Sequence, residues 1–449
     1  MPADPTFHAA LAAIVGQGGV EAGVPAIDVT GRALGAPAWR VRTVDTTQVA
    51  AVVRTCRAHG VKVSVAGRMS AYWSPLHLDG TVLVEPPASL TRDGDVWLAG
   101  AGCLVRGLDV GLRVAGSHLP IHPDAFGDTV LGALIAGACT SGVGMGQGGI
   151  GAAIAGIEVV TGRGDVLWTG SAARHGVPPF LREGLPDLTG AFIGAEGGLG
   201  IVTRIALLHR PAPWRVRVSG WASGAVLDVV VAAARALAGI YDTVRIVQTS
   251  DRTDGWALDA WIVSSWSARE VAQRALEAWR RLSAAGLTGV VSVAESAAAR
   301  TGRAPDYDAR WNPEAGGLAA FSARARLAGL DVNAPWAAFP QTLALARGLF
   351  AAQVAAGVET RLALYLAPDF VNIGVHASVP HDSEAWGPAE AAPWFERFAA
   401  LPLVPYRVGR TWPPSMLRGL EPTRSLLHAL ADELDPDHLF APEHPLWTR

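Results

Sequence analysis

Two stretches of this chain repeat one order of elements, helix, strand, strand, helix, and this repeat constrains the fold more than any other feature. The first runs through a helix at about 225–237, strands at about 244–249 and 257–266, and a helix at about 269–285. The second has a helix at about 343–356, strands at about 360–366 and 370–378, and a helix at about 391–400. Such groups predict one antiparallel sheet with helices on one face. The stretch 296–317, rich in Ala, Arg, Gly, Pro and Asp, predicts a mobile loop between them.

Before Pro213 the pattern differs, with short strands and helices alternating between glycine-rich loops. WRVRTV (39–44) is strand-like, and Asp45, Thr46 and Thr47 cap a helix with Val49, Val52, Val53 and Cys56 on one face and Gly60 at its end. VKVSV (61–65), TVLVE (81–85) and VWLAGAG (96–102) read as strands, and residues 104–115 and 129–138 as helices. GIEVVTG and DVLWTG form a strand pair turning at residues 162–165.

Composition narrows the function. With 449 residues, 50% apolar, 17% charged and a net charge of −3, the chain is neither disordered nor a nucleic-acid binder, and the expected partner is a small molecule. Lys62 is the only lysine, which reads as a coding bias. Cys56, Cys103 and Cys139 are too few and too widely spaced for a disulfide framework or structural zinc. The N-terminus has no basic n-region of a signal peptide, and the most apolar stretches (130–139 and 225–240) are too short or interrupted by charge to span a membrane. A cytoplasmic enzyme without membrane partners is therefore expected, with a homodimer as a possible assembly.

Familiar chemical motifs are mostly excluded. G-x-G-x-x-G occurs at Gly144, Gly146 and Gly149 and again at Gly146, Gly148 and Gly151, but the run follows a helix and leads into a strand, the reverse of a dinucleotide fingerprint. His118 and His122 are separated by Pro120, so a helical metal pair is not expected, and no metal is assigned. There is no G-x-S-x-G elbow.

Five segments, in order, resemble the vanillyl-alcohol oxidase and p-cresol methylhydroxylase superfamily of FAD enzymes. They are VSVAGRMSAYWSPLHLDGTVLVE, LPIHPDAFGDTVLGALIAGACTSGVG, GIEVVTGRGDVLWTG, GAEGGLGIVTRIALLHRP and the closing LDPDHLFAPEHPLW. The resemblance implies an α+β protein: a two-part FAD-binding domain of the PCMH type (1–212 and 401–449) with an inserted α/β cap domain on an antiparallel sheet (213–400). It places Gly67, Arg68, Met69, Ser70 and Ala71 at the FAD diphosphate, where a nest of backbone N–H groups suits an anion. It also places Gly132, Cys139, Thr140 and Ser141 along the cofactor, and wraps Glu196, Gly197, Gly200, Ile201 and Val202 around it.

Family members with a histidyl flavin bond often carry His where this chain has Met69, which implies non-covalent FAD; His376 is the candidate for attachment through the cap. In the phenol-oxidising branch a loop tyrosine and a Tyr-Arg pair bind a phenolate. Here GRMSAYW gives Tyr72, and VPYRVGR gives Tyr406 and Arg407. One departure is that Gly149 stands where that branch has an aspartate. Three readings stay open: hydride removal from a phenolic or benzylic alcohol, oxidation of a 2-hydroxy acid or sugar-like alcohol, and a flavin-binding scaffold without turnover.

Overall fold

The computed structural model describes residues 5–28, 30–69, 76–119, 129–139, 149–211, 214–237, 241–264, 266–294, 325–406, 414–417, 420–440 and 446–447. In chain order the first part contains α1 (Pro5–Val15), β1 (Val20–Ala22), β2 (Ala26–Ile27), β3 (Ala33–Gly35), β4 (Trp39–Arg42), α2 (Thr46–Ala58), β5 (Val63–Val65), β6 (Val82–Glu85), β7 (Leu90–Asp93) and β8 (Val96–Gly100). It continues with α3 (Val105–Val114), α4 (Leu131–Ala136), β9 (Ile154–Val160), β10 (Val166–Trp168), α5 (Leu188–Phe192) and β11 (Ile201–Leu208).

These strands make two sheets and a small hairpin. One sheet has the order β1-β4-β6-β5, with β6 parallel to both β4 and β5; the other, β10-β9-β11-β8-β7, is antiparallel throughout. Asp45 caps α2 by accepting a hydrogen bond from the Gln48 N–H at 2.8 Å, and Val49, Val52, Val53 and Cys56 are buried. That face shares one core with Val41, Val82 and Val84 of the first sheet and with Val160 and Ile201 of the second, so α2 joins the sheets.

The second part contains β12 (Trp214–Ser223), α6 (Leu227–Arg235), β13 (Tyr241–Thr249), β14 (Arg252–Ser264), α7 (Ala268–Ala284), β15 (Thr288–Ala294), β16 (Ala325–Pro335), α8 (Phe339–Ala355), β17 (Glu359–Leu366), β18 (Phe370–Pro380), α9 (Pro388–Ala399) and β19 (Val404–Pro405). All eight strands form one antiparallel sheet of order β15-β12-β14-β13-β17-β18-β16-β19. The two expected helix-strand-strand-helix groups are each extended by an outer strand at either end. Each is thus a β-α-β-β-α-β unit with the split βαβ strand order, and the units join edge to edge through β13 and β17. The expected loop at 296–317 lies outside the described residues.

The four helices α6 to α9 cover one face of this sheet. Alternate strand residues such as Val218, Ile246, Leu258, Leu364 and Ile373 share a core with Val230, Ala278, Leu349 and Phe398. Burying each large apolar side chain there contributes about 1.5–3 kcal/mol.

After the sheet the chain returns to the first part through α10 (Glu421–Leu434). Leu439 O accepts a hydrogen bond from Val63 N at 2.9 Å, and Phe440 bridges Val63 in parallel. The buried Asp435 carboxylate accepts from the N–H groups of Leu439 and Phe440, both at 2.9 Å, and holds this turn. The fold is α+β, a two-part domain with a cap.

Candidate functional site

The site is built around α4, which is shorter than the helix expected at 129–138. Val130 is extended before it, and Ala138 takes φ 43° after it. A β-carbon on Gly67 would lie 2.4 Å from Cγ2 of Val130, so the loop after β5 packs tightly at the start of α4. Gly132 N donates to Ala101 O at 2.8 Å, and a β-carbon there would come within 2.9 Å of the Ala101 Cβ. Gly132 is thus accounted for by the close approach of helix and strand.

A third segment docks at the other end. Gly194 N donates to Ile135 O at 2.9 Å and Glu196 N to Ala136 O at 3.0 Å, which fixes the turn 194–198 against the last residues of α4. Trp447 donates its indole N–H to Ala195 O at 3.0 Å, and its ring fills the space where Gly198 has no side chain. Gly197 has φ 84° with open space beside it. Gly200, at φ 140°, lies against Val159 and Val160. The Ile201 side chain is buried in the core beneath α2, and Val202 is half-buried.

Backbone strain concentrates in these segments. Among the described residues four non-glycine positions have positive φ, and three of them are Met69 (55°), Ala138 (43°) and Glu196 (47°), one in each docked segment. A left-handed L-residue costs roughly 1–2 kcal/mol, and such strain persists where the surroundings over-determine it, often at ligand clamps. Arg68 is exposed, whereas the Met69 side chain packs with Leu34, Leu78 and Leu83. This cradle of tight glycine turns and strained backbone fits a flat, anionic cofactor held by main-chain groups. Ser70, Ala71, Tyr72, Thr140, Ser141 and Arg407 lie outside the described residues.

Gly149 takes φ 72° and ψ −176°, a region essentially reserved for glycine. An aspartate would be strained there, so the backbone itself accounts for the missing acid. Among the described residues no three His, Cys, Asp or Glu side chains form a metal cluster, and no helix is long and apolar enough to cross a membrane.

Below the cradle, Glu158 of β9 is buried. Its carboxylate accepts from Thr203 Oγ1 at 2.7 Å, Arg204 Nε at 2.9 Å and Thr46 Oγ1. Burial pushes this carboxyl up, but the hydrogen bonds from Arg204, Thr46 and Thr203 and the charge of Arg204 together hold it below its ordinary range. Glu158 therefore ties β9, β11 and α2 together as a structural anion.

The roof is the helix-free face of the eight-stranded sheet, which sequence reasoning missed apart from His376. Its residues are nonetheless buried: Trp261, Tyr365, Arg361, Arg245, Arg215, Asn372 and His376 all point away from the helices and are all under 9% exposed. Arg245 pairs with Asp259 at 2.8 Å, and Asp259 also accepts from Ser219 at 2.6 Å. His376 Nε2 meets Asp331 Oδ2 at 2.8 Å, and a β-carbon on Gly374 would collide with both partners of that pair. Tyr406 follows β19; its N–H donates to Asp331 O at 2.9 Å, and its hydroxyl lies 3.5 Å from Cys139 Sγ. Cap and cradle meet there, at a tyrosine only 8% exposed. The signal available in sequence was the polar residue set within apolar alternation, as in VNIGVHA.

Residues 37–170 match the family model described as an FAD binding domain. Over 186 residues, 40% of this chain, the sequence is 25% identical to the mitochondrial D-2-hydroxyglutarate dehydrogenase of Bos taurus, a match that spans about a third (33%) of that protein. The fold superposes on 4-ethylphenol oxidase from Gulosibacter chungangensis, in complex with isoeugenol, with a TM-score of 0.74 and 14% identity, covering 99% of this chain and 97% of that one. It also superposes on an alkyldihydroxyacetonephosphate synthase with a TM-score of 0.71 and 13% identity, covering 98% and 85%. The cradle and its family match define a PCMH-type FAD-binding domain. With the cap sheet in place, the fold as a whole is that of the oxidase and synthase structures on which it superposes.

Proposed function

We propose that this chain is an FAD-dependent oxidoreductase that removes hydride from a carbon bearing or adjoining an oxidisable hydroxyl, with a phenolic or benzylic alcohol as substrate. The observation that carries the reading is Tyr406, buried under the cap sheet with its hydroxyl against Cys139 of the cradle. Bound FAD supplies the hydride acceptor. The backbone of residues 66–69, 138–139 and 194–198 would hold it, without a histidyl link because Met69 stands where that bond needs an imidazole.

The chain's own residues do the rest. The Tyr406 hydroxyl, with Tyr72 and Arg407, orients the substrate's phenol oxygen and favours its anionic form, which assists departure of hydride from the benzylic carbon para to it. The closed roof of Tyr365, Asn372 and Trp261 excludes water from the reacting carbon. Gly149 provides no acid, so no proton transfer is assigned to that position. The structural likeness to 4-ethylphenol oxidase supports the same substrate class.

A second reading, oxidation of a 2-hydroxy acid, is favoured by the match to D-2-hydroxyglutarate dehydrogenase and by the arginines of the roof. Anaerobic mixing with 4-hydroxybenzyl alcohols and with 2-hydroxy acids separates the two. The phenolic reading expects bleaching by the former only, slowed about tenfold or more in Tyr406→Phe. Bleaching by hydroxy acids alone would replace it with the second.

A further inference from the structure

The helix-covered face of the cap sheet carries a cavity that the oxidation chemistry does not use. The two β-α-β-β-α-β units join through β13 and β17, and α6 and α8 run antiparallel on either side of that seam. Their facing sides are small: Ala232 of α6, Ala236 just after it and Ala344 of α8 are exposed and fill little of the gap. A groove of about 750 Å³ is left between the helices, the size of a small-molecule site, walled by Trp336 and by the buried Phe339 and Leu343.

One end of the groove is rigid and cationic. The Trp336 indole N–H donates to Ala367 O at 3.2 Å and Pro368 O at 3.0 Å, and its ring stands edge-on to Phe339 with centroids 5.5 Å apart. The Arg235 guanidinium lies over the Trp336 ring, 4.6 Å from its centroid, and makes no ion pair among the described residues. A guanidinium held over an aromatic face keeps its edge N–H donors for an acceptor, and its fork matches a carboxylate in two parallel hydrogen bonds. The other end, about 10 Å along α6 from Arg235, holds Asp228 and Arg347. Neither makes an ion pair among the described residues, and Asp228 there disfavours a second negative charge on whatever fills the groove. The lining therefore complements one carboxylate at the Arg235 end and hydrocarbon along the rest.

We propose that this groove binds an amphipathic monocarboxylate, its head on Arg235 and its apolar body along Ala236, Ala232 and Leu343. The site lies on the opposite face of the sheet from the roof and does not depend on the reaction proposed there. The FAD-loaded protein is titrated calorimetrically with octanoate and with 1-octanol while the flavin spectrum is recorded. The wild type binds one octanoate per chain, about tenfold or more tighter than octanol, with the flavin spectrum unperturbed. Arg235→Gln erases that preference and leaves octanol binding as it was. Ala344→Trp and Ala232→Trp, which fill the groove from exposed positions on either helix, each abolish binding of both ligands with an unchanged urea midpoint. No saturable binding, equal affinity for acid and alcohol, a preference that survives in Arg235→Gln, or octanoate that still binds to both filled variants overturns the proposal. So does octanoate that perturbs the flavin spectrum, which would seat it at the oxidation site. A wild-type dimer in sedimentation that the filled variants split into monomers also overturns it, because the groove would then hold a second copy of the chain.

Discussion

Replacing Glu158 by glutamine probes how firmly the cradle is anchored. The carboxylate is 2% exposed and accepts from Thr46, Thr203 and Arg204, so it links α2, β11 and its own strand β9. Each hydrogen bond to a buried charge contributes about 1.5–3 kcal/mol, and breaking a buried ion pair costs about 3–5 kcal/mol. The Arg204 side chain is 40% exposed and can turn to water, which reduces its share. Glutamine keeps one acceptor oxygen, so the net loss for Glu158→Gln is about 2–3 kcal/mol at pH 7. Urea unfolding followed by circular dichroism reads this as a shift of midpoint with an unchanged slope.

The pH dependence has a definite sign. Because the folded carboxyl lies below its ordinary range, its stabilisation is present above the unfolded value of about 4.3 and fades as pH falls through the lower folded value. The gap between wild type and variant should therefore be constant above about pH 6 and shrink from about pH 5 downward. A gap under about 1 kcal/mol at neutral pH, or one that widens in acid, would refute the assignment of Glu158 as the structural anion.

Two further outcomes follow from the same geometry. Gly67→Ala would set a β-carbon 2.4 Å from Val130 Cγ2 and displace the loop from α4; it should cost about 1–3 kcal/mol and weaken FAD retention about tenfold, read by flavin released during dialysis. Asp435→Ala strips the acceptor from the Leu439 and Phe440 N–H groups; a loss of about 2–4 kcal/mol in thermal or urea unfolding is expected, and a neutral result would show that the C-terminal return is held by other contacts.

Much of the first domain was legible because local and tertiary signals agree. The helix from Thr46 carries its own cap and a single apolar face, and the strand pair around residues 162–165 carries its own turn. The cap was half legible. Helices α6 to α9 and the central strands are periodic, but β16, reading ARLAGLDVNAP, has weak strand propensity and is made a strand by eleven register partners on β18. By contrast, β12 reads WRVRVSGWAS with clear alternation and was open to detection. The roof was hidden for another reason: Arg215, Asp259, Arg245, Arg361 and His376 are scattered along the chain, and only the strand register gathers them on one face. The departure at Gly149 was visible in sequence, but its cause is a backbone angle.

The most direct test of the central claim is the absorbance of the purified protein under strictly anaerobic conditions during addition of a 4-hydroxybenzyl alcohol. The account predicts about one FAD per chain, released by acid precipitation, with visible absorbance that bleaches on substrate addition. A protein that folds, binds FAD stoichiometrically and is bleached by dithionite but not by the phenolic alcohols would contradict it.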